Sequence, residues 1–217
     1  MTYHVEESCQ VLGLADMYAK LFGNKTQGTF VEVGAYDGIT FSNTFGLALA
    51  GWRGLLFEPH PELYKKCVST YQTMPHVRIE DIGIGEWEGI TTLYFGDYLT
   101  TTDKDIITAY DGLSCKDKFT GQIGISICRL DMALERNAWP IGFDVLVIDT
   151  EGTELAVLRG FNLVKWHPRM VIIEACEQHS NPILAQKAPE INRIFLEAGY
   201  DKIYCDSINN IFVKCES

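Results

Sequence analysis

An open, mostly parallel α/β sheet with helices packed on both faces is the fold that this 217-residue sequence predicts. Strand-like and helix-like patterns alternate along most of the chain, and such alternation implies right-handed crossovers between parallel strands. The first strand also breaks into a turn that sets two glycines among acidic residues, "VEVGAYDG" at 31–38, where an open α/β sheet places its ligand. The chain closes on two strand-like runs around a short polar turn, which predicts an antiparallel hairpin ending in an antiparallel edge strand.

Taken in order, residues 1–27 read as an N-terminal helical segment. "TFVEV" (29–33) is β-branched and aromatic and reads as a strand, "ITFSNTFGLALAG" (39–51) as a helix, and "RGLLFEP" (53–59) as a strand stopped by Pro59. "PELYKKCVSTYQTM" (61–74) reads as a helix and "HVRIEDIGI" (76–84) as a strand. "GEWEGITTLYFG" (85–96) contains a further strand, and then the periodicity fades: residues 97–122 are expected to form a loop or lid on the acceptor side, because long irregular stretches tend to be functional. "LERNAWPIG" (134–142) is a loop leading to the strand "FDVLVIDT" (143–150), followed by a short helix "TELAVLRG" (153–160) and the strand "RMVIIEA" (169–175). "AQKAPE" reads as a loop with a helix starting at Pro189, and "YDKIYCD" and "NNIFVKC" form the closing hairpin around "SINN". Trp52, Trp87 and Trp166 read as packing residues at element ends.

With 47% apolar residues the chain can bury a full core, so residues 1–217 are expected to form one domain. A formal charge of −11 disfavours a broad electrostatic grip on nucleic acid or on an anionic membrane, and points to a small-molecule or carbohydrate partner. The seven cysteines include no CxxC pair, which argues against a disulfide framework or a zinc knuckle and suits a reducing cytoplasm. The N-terminus has acids where a signal peptide needs a basic flank, and no apolar run reaches the ~18 residues of a membrane span.

The glycine turn lies at the first strand-to-helix junction, so the question is which ligand it serves. A dinucleotide fingerprint needs a second glycine where this chain has Tyr36, whose side chain would crowd a pyrophosphate, and no G-K-[ST] makes a P-loop. Glu32, Gly34 and Gly38 suit instead a nucleoside ligand that carries a cation, and S-adenosylmethionine is such a ligand. Glu58, at the end of the second strand and 24 residues after Gly34, is placed to accept both ribose hydroxyls. Asp81 and the backbone of Ile82, at the end of the third, could meet the adenine. An NAD-type oxidoreductase, or a noncatalytic nucleoside-binding module on the same sheet, remains an alternative reading of the same acids.

"FVEVGAYDGITFSNT", "GWRGLLFEPHPELY", "GIGEWEG", "RLDMALERN" and "FDVLVIDTEGTELAVLRG" resemble, in order, the motifs of the FkbM-type family of class I S-adenosylmethionine-dependent methyltransferases. The resemblance covers roughly residues 28–200. It implies a Rossmann-like sheet of seven strands with the last one antiparallel, and methyl transfer to a hydroxyl of a sugar, polyketide or similar natural product. It further implies that Glu32, Gly34, Ala35, Asp37 and Gly38 border the methionine part of the cofactor, with Tyr36, Ser42, Pro59 and Asp149 completing the cofactor set. Thr150 departs from the aliphatic residue usual in the family, and residues 97–122 match none of its motifs.

Methyl transfer to a hydroxyl needs an aligned acceptor and a group that takes its proton. Candidates lie at the ends of the fourth and fifth strands: Asp149 and Glu151 in "VIDTEGTE", and Glu174, Glu177 and His179 in "IIEACEQHS". Either Asp149 or His179 takes the proton directly, or Asp149, Glu151 and Glu174 hold a divalent ion that acidifies the hydroxyl. Oxygen ligands without paired histidines would suit magnesium rather than zinc. Direct base catalysis is preferred, because "DTEG" is explained in part by the start of the next helix, where Glu154 favours the helix dipole.

Overall fold

The computed structural model describes residues 3–5, 9, 11–96, 99–111, 119–175, 177 and 182–215. Helix α1 (Leu14–Phe22) leads into β1 (Thr29–Val33), α2 (Phe45–Leu49), β2 (Arg53–Phe57), α3 (Pro61–Thr70) and β3 (Val77–Glu80). Next come β4 (Gly83–Gly85), β5 (Gly89–Phe95), β6 (Thr100–Thr101), α4 (Lys104–Asp111) and β7 (Gly121–Arg129). The chain continues through α5 (Leu130–Arg136), β8 (Val145–Ile148), α6 (Glu154–Arg159), α7 (Leu163–Trp166) and β9 (Met170–Glu174), and ends on α8 (Pro182–Glu197), β10 (Tyr200–Cys205) and β11 (Asn209–Lys214).

The main sheet has seven strands in the order β10-β11-β9-β8-β1-β2-β3. Neighbours from β9 to β3 are parallel, whereas β11 is antiparallel to both β9 and β10. The expected antiparallel edge strand is therefore corrected: the reversed strand lies one place in, and the edge strand β10 runs with the others. Burial explains the order. Ile211 and Phe212 of β11 are fully buried and have to be covered on both faces, while most of β10 is exposed and carries Asp201 and Lys202, the charged side chains that a sheet edge tolerates.

Side chains alternate across the strands and so feed two cores. Val31, Leu55, Phe57, Leu146, Ile148 and Ile173 pack on one face with Leu134 of α5, Val157 of α6 and Phe195 of α8. Phe30, Leu56, Val147, Met170 and Ile172 pack on the other with Leu14 and Tyr18 of α1, Leu47 of α2 and Cys67 of α3.

Three local expectations change. The helix over 39–51 shrinks to α2, because Asp37 accepts the N–H groups of Ile39 (3.0 Å) and Thr40 (2.7 Å) and Ser42 Oγ accepts those of Thr44 (3.2 Å) and Phe45 (3.1 Å), an alternative to helical pairing. Helix α8 begins at Pro182, not Pro189; the buried stripe Leu184, Ala188, Ile191, Asn192 and Phe195 outweighs the N–H that Pro189 lacks. The strand expected over 76–84 breaks after Glu80, and β4 joins a second, four-stranded sheet, β4-β7-β5-β6. That sheet accounts for part of the stretch expected to be irregular, since its described portion contains β6, α4 and the start of β7. Trp52 and Trp166 are buried as expected, but Trp87 is 46% exposed.

Candidate cofactor and acid site

The chain runs outward along β1, β2 and β3, then returns to the other side of β1 through β8 and β9, so the switch of strand order falls between β1 and β8. Gly34 sits at that point with φ +87°, and a Cβ there would lie 1.8 Å from the carbonyl oxygen of Asp149. Only glycine permits this approach, which brings the turn after β1 against the end of β8. Asp37 serves the turn itself, its carboxylate accepting from the Thr40 hydroxyl (2.7 Å) besides the N–H groups already named. Beneath the turn the Tyr71 hydroxyl donates to the Gly38 carbonyl at 2.8 Å.

Strand alternation and register turn Glu32, Glu58, Asp149 and Glu174 toward the same face of the sheet. Glu32 is buried and accepts from Thr44 Oγ1 at 2.7 Å and Ser42 Oγ at 3.5 Å. Glu58 is buried too; one oxygen accepts from the Tyr36 N–H and the other from the His60 N–H, each at 2.8 Å. A carboxylate has about four acceptor positions, so each Glu58 oxygen keeps one for a ligand donor. Burial pushes both acids up to about 7, against the hydrogen bonds that favour their charged forms.

These residues border a cleft in two connected parts. The polar part, about 610 Å³, is lined by Glu32, Gly34, Ala35, Tyr36, Ser42, Glu58, Asp149 and Glu151. The adjoining part, about 450 Å³, shares Gly34, Glu58 and Asp149 with it and adds Pro59, Ile82 and Thr150. Its outer wall comes from the second sheet, through Leu93, Ile125 and Ile127, and Thr100 borders both parts. Sequence reasoning missed this wall. The alternation in "GQIGISICR" was the available signal, but nothing local says that it faces the cleft. Asp81 is exposed and lies in a separate groove of about 810 Å³ with Arg78 and Arg136; Ile82 borders both that groove and the cleft.

Asp149 and Glu151, which line the cleft, and the neighbouring Glu174 present oxygens that all lie within 4.8 Å of one another. Glu151 reaches this position from a left-handed backbone at φ +55°. Glu154 supports that loop from below: its carboxylate accepts from the Thr150 N–H (2.9 Å), the Thr150 hydroxyl (3.0 Å) and the Gly152 N–H (3.0 Å). Thr150, the departure from the family pattern, thus gains a specific partner. Burial, with a contribution from Glu154, raises Glu174 to about 8, and a hydrogen bond with Asp149 acts in the opposite direction. Three oxygen ligands at this spacing could also hold a hard divalent cation. Glu177 is drawn away, accepting from Asn192 Nδ2 at 3.0 Å, and His179 lies outside the described residues.

The raised acids predict a pH dependence. Glu32, Glu58 and Glu174 bind protons more tightly folded than unfolded, so their contribution to stability is complete below their ordinary values near 4.5 and is lost as pH rises through about 7 to 8. The ligand-free protein should therefore melt several degrees lower at about pH 8.5 than at about pH 5.5, with Glu58→Gln reducing the difference. A melting temperature that rises over this interval would contradict the assignment.

A seven-stranded sheet with one reversed strand next to the edge, carrying an acid-lined cleft at its switch point, defines a protein of the methyltransferase fold. Among solved structures, the METTL16 MTase domain superposes with a TM-score of 0.51 at 11% identity, over 93% of this chain. The chain spans 66% of the length of that domain. An O-methyltransferase from Bacillus cereus in complex with SAH matches with a TM-score of 0.48 at 13% identity, over 94% of this chain and 83% of its own. No curated protein matches the chain in sequence. The profile of the methyltransferase FkbM domain matches residues 32–202, and the chain belongs to that family. The family implies S-adenosylmethionine as cofactor. Among the described residues no helix is long and apolar enough to cross a membrane.

Proposed function

We propose that this protein methylates a hydroxyl of a sugar, glycan or other small natural product, with S-adenosylmethionine as donor. The observation that supports this most directly is the cleft itself, which joins a paired-acceptor carboxylate, Glu58, to Asp149 and Glu151, whose oxygens lie within 4.8 Å of those of Glu174. The residues present fit the donor. Glu58 keeps one acceptor position per oxygen for a ribose diol, Ile82 and Pro59 with the second sheet offer an apolar slot for a flat base, and Glu32, in its ionised form, supplies negative charge toward the polar part. When bound, the donor supplies an electrophilic methyl group on a sulfonium.

The chain's own residues then have two tasks. The cleft walls align the acceptor and exclude water, a task in which the 97–122 segment takes part; Thr100, which borders both parts of the cleft, supports this reading. Asp149 or His179 takes the acceptor proton directly. A magnesium ion on Asp149, Glu151 and Glu174 is the second reading, favoured by their common spacing.

The test is transfer of a labelled methyl group to a panel of nucleotide sugars, glycans and polyols, with NAD reduction and binding of S-adenosylhomocysteine measured beside it. Label on an acceptor oxygen is the expected result. Turnover with NAD, or label only on nitrogen, would overturn the reading.

A further inference from the structure

Lys187, in the second turn of α8, makes a contact that neither cofactor binding nor proton transfer uses. Its ammonium donates to Asp103 Oδ2 at 2.8 Å and to the Gly152 carbonyl at 2.6 Å. The two acceptors belong to distant parts of the chain. Asp103 stands just before α4; its other carboxylate oxygen accepts the Asp105 N–H at 2.9 Å, and its own N–H donates to the buried Thr101 hydroxyl at 3.1 Å. Thr101 follows Thr100, which borders both parts of the cleft. Gly152 follows Glu151 in the loop that presents this acid to the cleft.

Packing reinforces the link. Ile106 of α4 is buried, and together with Leu184 of α8 it occupies the space beside Gly152, where a Cβ would come within 2.6 and 2.8 Å of their methyl carbons. Glu151 and Gly152 have consecutive positive φ values, +55° and +101°. A non-glycine residue in that conformation persists when its surroundings over-determine it. Glu154 fixes the loop from one side, and Lys187 with Ile106 fixes it from the other. The Lys187 and Asp103 side chains are only 24% and 27% exposed, so the pair is less screened than an ordinary surface ion pair.

We propose that Lys187 is a positioning residue: it locks the 99–111 segment onto the Glu151 loop, so that closure of the cleft and the orientation of Glu151 are set as one unit that opens for cofactor exchange. The exchange step rests on the cofactor reading above, whereas the mechanical coupling stands without it.

Hydrogen exchange and the kinetics of S-adenosylhomocysteine binding test the two parts separately. Lys187→Met keeps the aliphatic stem and deletes the ammonium. Exchange should rise about tenfold in peptides covering both 100–111 and 150–155, and S-adenosylhomocysteine should dissociate about tenfold faster, with Lys187→Arg recovering most of both effects. Asp103→Asn should loosen the same two peptides together, and it carries the test if Lys187→Met does not fold. Faster exchange confined to one of the two peptides, or unchanged dissociation from a wild type that binds, would overturn the proposal. A wild type that binds no S-adenosylhomocysteine would instead overturn the cofactor reading, while joint or separate loosening of the two peptides still decides the coupling.

Discussion

Glu58→Ala is expected to weaken S-adenosylmethionine binding by about 2 to 4 kcal/mol, roughly 30- to 900-fold, through loss of two charge-assisted hydrogen bonds to the ribose. The structure adds a second cost. Glu58 also receives the Tyr36 and His60 N–H groups, so the substitution removes the acceptor of the turn after β1 and of the residue that caps α3. Glutamine is not a mild replacement either: both carboxylate oxygens face a backbone N–H, and the amide NH2 would oppose one of them. Calorimetry with S-adenosylmethionine and S-adenosylhomocysteine, run well below the melting temperature of each variant, separates ligand loss from loss of fold. Undiminished affinity in a folded Glu58→Ala protein would reduce Glu58 to a structural acceptor.

Asp149→Asn should lower methyl transfer by a factor of ~10² to 10⁴, measured on an acceptor identified by the labelled-methyl panel. The carboxamide keeps the size of the side chain but cannot take up a proton. The loss should appear in kcat, while S-adenosylhomocysteine affinity changes much less. Chelation discriminates the two mechanisms. With direct base catalysis, turnover survives EDTA. Turnover that collapses with EDTA and returns with magnesium would replace the base by a metal on Asp149, Glu151 and Glu174.

Much of the site was legible in the sequence because it is written in short-range patterns. An apolar run ending in an acid, as in "FVE", "LLFE" and "LVID", marks a buried strand whose last side chain leaves the core, and strand parity puts those acids on one face. The turn "VGAYDG" was legible for the same reason, since Asp37 acts within a few residues, whereas the close approach of Gly34 to Asp149 is a contact across the fold. The reversed strand was placed wrongly. Antiparallel pairing of β10 and β11 is a local property of a hairpin, but which of the two meets β9 depends on burial across the whole sheet.

By itself, then, the sequence determined the alternating α/β architecture, the family, and the acids Glu32, Glu58, Asp149 and Glu174 at the ends of buried strands. Tertiary structure alone decided that β11 lies inside β10, that the second sheet walls the cleft with Leu93, Ile125 and Ile127, and that Asp81 borders the neighbouring groove. It also decided the upward shifts of Glu32, Glu58 and Glu174, since desolvation depends on everything packed around a group. The Lys187 clasp belongs to the same category: its partners stand 84 and 35 residues away along the chain, and no local pattern of charge or period records a contact across such distances.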